Sequence, residues 1–413
     1  MGTFLLRKLG YGILVLLGVV TMVFFLFNLT PGDPVRNLVG ENASEEVVAN
    51  MRRKLDLDLP VGKRFLLYVN DLSPLAMHSD QEDSRVYFNP DDYTGIRLHW
   101  SAGGTALYLK APYLKRSFLS DKSVSAILAE VIPGTIVLAV VSIGIALILG
   151  MLMGIAAALK KDGFYDRLIL LVSALGMAGP SFFVAILVAW VGAVLWREHI
   201  TISVGFLLFA MSIVVAAIVF QKRKSVAIWM LPVVALVLSV MNVPPFLSVS
   251  WMLPGTGLNM TGSLYSVDVW KGEFLDLQNL ILPVITLMIR PLSVIVQLTR
   301  SSLLDVMQQD YIRTARAKGL SEREVIFKHA LRNALNPVIT AVSGWFASLL
   351  AGAIFVEFVF GWKGLGQQMF TAIENQDMPV VMGGVIVIAS AFVLINLIVD
   401  ILYGWIDPRV RVS

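Results

Sequence analysis

Eight stretches of the 413-residue chain carry few charges and are each close to the length at which a helix crosses a bilayer. At about 1.5 Å of rise per residue, roughly 20 mainly apolar residues cover the hydrocarbon core. The stretches are 9–29, 131–159, 168–196, 200–220, 226–241, 280–298, 338–359 and 380–403. The fifth is the shortest, because Pro232 and the Pro244-Pro245 pair interrupt it. In lipid every backbone amide and carbonyl must be satisfied inside the protein, which a helix does within one segment. The expected fold is therefore an all-α polytopic membrane protein with eight spans. With 57% apolar and 15% charged residues, the chain is also far from the roughly 25% charge of a soluble domain. It has no cysteine, which excludes disulfides, thiolate metal sites, iron–sulfur clusters and a cysteine nucleophile.

The first stretch follows Arg7-Lys8, as a signal peptide would, but it is too long for a signal core and no small-x-small cleavage site follows. It is expected to stay as an anchor. Basic residues orient the remainder. With the N-terminus in the cytoplasm, seventeen Lys and Arg fall in cytoplasmic pieces, whereas the three short outer loops hold one each, Arg197, Lys271 and Lys363. Short loops follow the positive-inside bias and long ones cross regardless of charge, so the twelve basic residues between Thr30 and Ser123 do not oppose this. Both termini are thus expected in the cytoplasm, and Gln221-Lys222-Arg223-Lys224 becomes a cytoplasmic turn between spans four and five. No basic block suggests a nucleic-acid partner.

The long connections differ in character. Residues 31–123 are polar, broken by Pro60, Pro74, Pro90 and Pro112, and carry Tyr68, Tyr87, Tyr93, Trp100, Tyr108 and Tyr113; they read as an external loop or small cap. The acidic cluster Asp80, Glu82, Asp83, Asp91 and Asp92 fits no calcium-loop spacing and reads as a solvated surface. Residues 246–279, with Pro254-Gly255-Thr256-Gly257, read as an irregular external connection. Residues 300–336 carry the most information. Ser321 followed by Glu324 forms a capping box, and Gly319 just before it suits the left-handed position that ends a helix. The segment is expected to be helix, Gly turn, helix, with Val325, Phe327, Ala330, Leu331, Ala334 and Leu335 as the apolar stripe of the second arm. A membrane protein that keeps so ordered a hairpin in the cytoplasm is expected to dock something there.

Here the sequence resembles a known family. The run Tyr311-Ile312-Arg313-Thr314-Ala315-Arg316-Ala317-Lys318-Gly319-Leu320, then His329-Ala330-Leu331-Arg332-Asn333-Ala334-Leu335 and Pro337, is similar to the EAA-type cytoplasmic loop of peptide/nickel-type permeases of ATP-binding-cassette importers. Residues 7–34 with Pro31-Gly32-Asp33-Pro34, then Glu130, Pro133, Thr135, Asp166 and Gly179-Pro180-Ser181-Phe182, fit the family in order. So do Glu357, Phe360, Gly364-Leu365-Gly366 and Asp407-Pro408-Arg409. Departures are Arg313-Thr314-Ala315 where the general motif has Glu-Ala-Ala, Lys363 where a Pro is usual, and spans four and five, which sit as an insertion in a six-span core.

The resemblance implies a type I importer permease: six core spans plus an inserted pair. Its order is a first span (1–30), an external loop or cap (31–123), spans two and three (124–199), the inserted hairpin (200–245) and an external loop (246–279). Core span four (280–299), the coupling loop (300–336), and spans five and six with a cytoplasmic tail (337–413) complete it. It further implies a bacterial inner-membrane location, a second related permease, two cytoplasmic ATPase subunits and an external substrate-binding protein as partners. The chain has no G-x-x-x-x-G-K-[ST] loop, so ATP and Mg belong to the ATPases, no cofactor is expected on this chain, and it is expected not to be an enzyme. Coupling to the ATPase falls to Arg313, Thr314, Ala315, Arg316, Ala317, Lys318, Gly319 and Leu320, with the Ala, Gly and Leu positions docking and the basic ones forming a rim. Candidates for the translocation path are Arg290, Pro180 and Glu357. Arg290 lies mid-span, where charge is costly; it either attracts a substrate carboxylate or forms a structural ion pair, for which Glu357 is available. The competing class is an ion-coupled secondary transporter, which should show several intramembrane carboxylates or an inverted repeat; neither is visible. An intramembrane hydrolase would need a set such as His-Glu-x-x-His, which is absent.

Overall fold

The computed structural model describes residues 2–29, 34–40, 43–102, 104–203, 212, 232, 250–268, 270 and 272–406. Among these, four helices are long and apolar enough to cross a membrane: Arg7–Asn28, Val124–Leu159, Leu277–Met307 and Met378–Val399. A fifth span results if Phe164–Ala178 and Ser181–Leu195, which meet at 108°, are counted together. Most of the inserted hairpin 200–245, its basic turn 221–224, and Asp407-Pro408-Arg409 lie outside the described residues. Residues 200–203 are described, and they form part of a strand rather than the start of a helix.

The chain divides into two units, 1–140 with 343–358 and 363–413, and 141–342 with 359–362. In the first, α1 (Gly2–Leu29) enters the cap, which consists of α2 (Pro34–Val39), α3 (Glu45–Lys54), α4 (Val61–Leu72) and three strands. Strands β1 (Leu75–Ser79), β2 (Gly95–Ala102) and β3 (Thr105–Lys110) form an antiparallel sheet in the order β1-β3-β2. Leu75 faces Leu109 and Ser79 faces Thr105 in the register. Alternate residues Ala76, His78, Ala106, Tyr108 and Lys110 turn inward, as a pleated strand requires. Then α5 (Val124–Leu159) begins a span whose first residues Val124, Leu128 and Val131 share a core with Leu365, Met369, Val380 and Val381.

In the second unit α6 (Phe164–Ala178) and α7 (Ser181–Ala189), which continues as a π-helical turn Trp190–Leu195, lead to two small antiparallel pairs. These are β4 (His199–Ser203) with β5 (Ser250–Pro254), and β6 (Tyr265–Asp268) with β7 (Gly272–Leu275). Helix α8 (Ile281–Met307) follows and is the most enclosed of the spans. Small residues bring its neighbours close. A Cβ on Gly150 or Gly154 of α5 would meet Ile295 or Thr299 at 2.7 and 2.6 Å, and one on Gly176 of α6 would meet Ser293 at 2.5 Å. The G-x-x-x-G spacing of Gly150 and Gly154 is the small-residue face by which helices pack without a hydrophobic driving force.

The all-α expectation fails in the connections, because chain outside lipid satisfies its backbone by pairing as readily as by helix. Seven strands occur among the described residues, and the region read as an irregular loop at 246–279 holds three of them. The expected span 338–359 is two pieces, α12 (Asn336–Gly352) and α13 (Ile354–Val359). Ala353 donates to Leu349 O and Glu357 to Ala353 O at 2.9 and 2.8 Å, so the backbone ladder runs on through the join. Two further helices, α14 (Leu365–Glu374) and α15 (Met378–Ile406), follow; between α8 and α12 lies a hairpin with α9 (Asp310–Ala317), α10 (Glu322–Glu324) and α11 (Leu331–Ala334).

Candidate functional site

The hairpin grows from the end of α8. Helix α9 (Asp310–Ala317) opens with Asp310 in its first turn and closes with Arg316 in its last, both complementary to the helix dipole. Gly319 then takes φ +77°, a conformation a side chain resists, and its amide donates to Arg316 O at 2.9 Å. Ser321 starts the second arm with both halves of the capping box. Its Oγ accepts from Glu324 N at 3.3 Å, and Glu324 Oε2 accepts from Ser321 N at 3.2 Å. The Ser321 hydroxyl also donates to Glu324 Oε2, at 2.9 Å, and this bond, together with that of the Ser321 amide, holds the Glu324 carboxyl below the usual carboxylate range. The second arm runs through α10 (Glu322–Glu324), a π-helical stretch Val325–Ala330 and α11 (Leu331–Ala334).

Two side-chain bridges tie the arms together. Arg316 donates through Nε to Glu322 Oε1 at 2.8 Å and through Nη2 to Oε2 at 3.3 Å, and Asn333 Nδ2 donates to Tyr311 OH at 2.7 Å. Between the arms lies an apolar core of Leu303, Ile312, Ala315, Val325, Ala330 and Ala334, joined by Ile155 and Ala158 from the end of α5. The stem is anchored as well. Asp166, at the start of α6 and 1% exposed, accepts from Arg300 Nε at 2.5 Å and Nη2 at 2.7 Å and from Asp162 N at 2.8 Å. The hairpin is thus tied by its apolar core and by this ion pair to the ends of α5, α6 and α8.

Its outer face differs from the expected one. Arg313, Thr314, Arg316, Ala317, Lys318 and Gly319 are exposed and Leu320 is half-buried. Ala315 is not on the surface: with Ile312 it faces the hairpin core, so the docking role expected for it does not hold. Thr314 is exposed but its hydroxyl donates back to Asp310 O at 3.0 Å. Phe327, read as part of the buried stripe, is 56% exposed, while Ile326 is buried in its place. The cause is the π-helical stretch, which takes an extra residue per turn and shifts the phase of the stripe. Val325 and Ala330, five residues apart, are both fully buried. The exposed Phe327 was not legible in the sequence, because a regular 3.6-residue period carries no sign of a π turn.

Residues 146–412 match the family model described as binding-protein-dependent transport system inner membrane component. The chain belongs to this family. Residues 1–82 match the model described as the N-terminal part of the binding-protein-dependent transport system membrane component. The chain is 31% identical over 411 residues to the dipeptide transport system permease protein DppB of Alkalihalophilus pseudofirmus, with 98% of each chain covered. It is 32% identical over 411 residues to the di/tripeptide transport system permease protein DppB of Pseudomonas aeruginosa, covering 99% of this chain and 98% of the relative. The dipeptide transport system permease protein DppB of Escherichia coli is likewise 32% identical, over 415 residues, with the same coverage. The chain is accordingly an inner-membrane permease component and not a catalytic subunit.

The path candidates in this permease separate. Pro180 is exposed and stands at the N-terminus of α7, where α6 and α7 meet at 108°. Arg290 lies inside α8 just before Pro291, is exposed, and makes no ion pair among the described residues. Glu357 does not fit the path. It is fully buried and accepts from Thr135 Oγ1 at 2.6 Å, Gly366 N at 2.6 Å and Gln367 N at 3.2 Å. Thr135 Oγ1 accepts in turn from Leu365 N at 2.8 Å. The carboxylate therefore sits on the first amides of α14, where the dipole favours an anion, and no guanidinium is among its partners. A Cβ on Gly364 or Gly366 would lie 2.4 Å from this carboxylate or 2.3 Å from Ile354 Cα. Gly364-Leu365-Gly366 is the turn that lets Glu357 close.

Proposed function

We propose that this permease forms half of the translocation path of an ATP-driven importer for peptides or a related small solute. A second related permease supplies the other half, and two cytoplasmic ATPase subunits and an external binding protein complete the assembly. The observation that carries the reading is the hairpin. It is a rigid, capped, two-armed element with an exposed face of Thr314, Ala317, Lys318, Gly319 and Phe327, anchored through Asp166 and Arg300 to the spans. A surface so held transmits force rather than yielding to it. In this reading the hairpin of each permease seats in an ATPase subunit, and ATP-driven closure of the ATPases reorients the cavity between the permeases. The seat is Arg313, Thr314, Arg316, Ala317, Lys318, Gly319, Leu320 and Phe327. The names of the relatives support peptides as the solute class.

Both termini lie in the cytoplasm in this arrangement, as the distribution of Lys and Arg supports. Arg290 is a mid-span charge without an ion partner among the described residues, which supports a place facing the path or the second permease. The test is reconstitution of the affinity-purified complex in proteoliposomes with ATP inside and labelled dipeptide plus binding protein outside. Uptake is expected only with ATP, and ATP hydrolysis is expected to rise with loaded binding protein. Recovery of the chain without any ATPase, or uptake driven by an ion gradient alone, would overturn the proposal in favour of a secondary transporter.

A further inference from the structure

In the first unit the cap, the end of α1 and the start of α15 line a cavity of about 680 Å³. Small-molecule sites span roughly 300–1,000 Å³. Part of the lining is apolar, with Phe24 and Phe27 from α1 and Met382 from α15, and part is the charged side of the cap. Most of those charges are matched. Arg85 pairs with Asp56 at 2.9 Å and with Asp58 at 2.6 Å, and Arg116 pairs with Asp92 at 2.7 Å. Asp71 accepts from Tyr93 OH at 2.7 Å and has Lys115 at 3.7 Å.

Among the described lining residues, Arg64 is the half-buried cation without such a partner. It stands on α4, lines the cavity and is half-buried. Its side chain makes no ion pair among the described residues, and its Nε is buried without a hydrogen-bond partner. Buried donors are nearly always paired, and a guanidinium cannot release its proton to escape the penalty. The carboxylate whose field acts on it, Asp56, is already held by Arg85.

We propose that this cavity binds a small amphipathic carboxylate, with the anionic head in the fork of Arg64 and the apolar body against Phe24, Phe27 and Met382. The planar guanidinium matches a carboxylate with two parallel bonds. The form to test is a compound with one free carboxylate on an apolar body, and a dipeptide and its C-terminal amide differ in that group alone. The inference stands apart from the importer reading, because it concerns equilibrium binding to this chain without ATPase or ATP.

The experiment is calorimetric titration of the full-length chain in phosphatidylcholine nanodiscs with leucyl-phenylalanine and with its C-terminal amide. The dipeptide is expected to bind about tenfold or more tightly than the amide. Arg64→Gln should remove that difference and Arg64→Lys should keep part of it. The acid–amide comparison on the unaltered chain needs no variant to fold. Equal binding of acid and amide, no heat with either at millimolar concentration, or an undiminished preference in Arg64→Gln would overturn the proposal. A second arm uses nanodiscs containing phosphatidylglycerol and native mass spectrometry. If that lipid is retained by the unaltered chain, lost in Arg64→Gln and not displaced by the dipeptide, the anion is a lipid phosphate and the soluble-carboxylate proposal fails.

Discussion

Replacing Asp166 by Asn tests whether the hairpin is held to the spans as the geometry indicates. The change keeps the shape of the side chain and removes its charge. Arg300, 19% exposed, is then left beside an amide where it had two short charge-assisted bonds, and the acceptor of Asp162 N is weakened. Breaking a buried pair by removing one partner costs about 3–5 kcal/mol. Because Arg300 keeps some contact with water, a loss of about 2–4 kcal/mol is expected. That is a sizeable share of the roughly 5–15 kcal/mol that separates folded from unfolded states. The assay is a double-mutant cycle with Asp166→Asn, Arg300→Gln and the double variant, read as denaturation free energy in mild detergent and as ATP-driven uptake per molecule inserted. The two single losses should be far from additive, with a coupling energy of about 2 kcal/mol. Uptake should fall further than abundance does. A coupling energy below about 0.5 kcal/mol would place this pair with ordinary exposed ion pairs and refute the claim that it anchors the stem.

Other positions give separate expectations. At Gly319 a Cβ meets nothing within 4 Å, so the cost of Gly319→Val is the backbone strain of φ > 0, about 1–2 kcal/mol, plus any clash with a docked ATPase. Transport should be abolished with the protein still inserted, Gly319→Asn should do less harm, and unimpaired uptake with Val would remove Gly319 from the interface. Phe327→Ala should change stability by less than about 1 kcal/mol because the ring is exposed, yet weaken ATPase association about tenfold; unchanged affinity would mean that Phe327 does not dock. The Glu324 carboxyl is lowered in the folded hairpin, so its contribution is present above the unfolded value of about 4.3 and disappears as pH falls through the lower folded value. Protection of the Ser321 and Glu324 amides, taken relative to the intrinsic exchange rate at each pH, should fall there and stay constant between pH 6 and 8, which hydrogen exchange can follow. Arg290→Gln should reduce uptake without reducing abundance, and no change in either would end its candidacy for the path.

What was legible in the sequence was local. The capping box closes within three residues and Gly319 signals its own turn, so the hairpin could be drawn before any coordinates. Gly179-Pro180 stands at the bend between α6 and α7, whose 108° no local pattern gives. The strands of the cap were hidden because inward positions of β1 and β3 carry His78 and Lys110, which break the alternation that would reveal a half-buried strand. Lys110 reaches Asp71 O and lies 5.0 Å over the Tyr93 ring, partners that only the folded cap brings near.

Three of the residues by which the chain resembles its family, Thr135, Asp166 and Glu357, are buried polar groups whose partners are remote. Thr135 and Glu357 are 222 residues apart, and Asp166 and Arg300 are 134 apart. From sequence alone Glu357 was as eligible for the path as Arg290. Tertiary structure separated them by enclosing one and exposing the other. The sequence by itself determined that the chain lives in lipid, where four of its long spans lie and that one connection is a capped hairpin, because hydrophobic length and capping act over a turn or over a span. Only the tertiary structure decided which face of the hairpin is outward, which charges are spent on holding the frame and which are left free. Those outcomes depend on helix phase and on contacts between distant segments, and no local pattern encodes either.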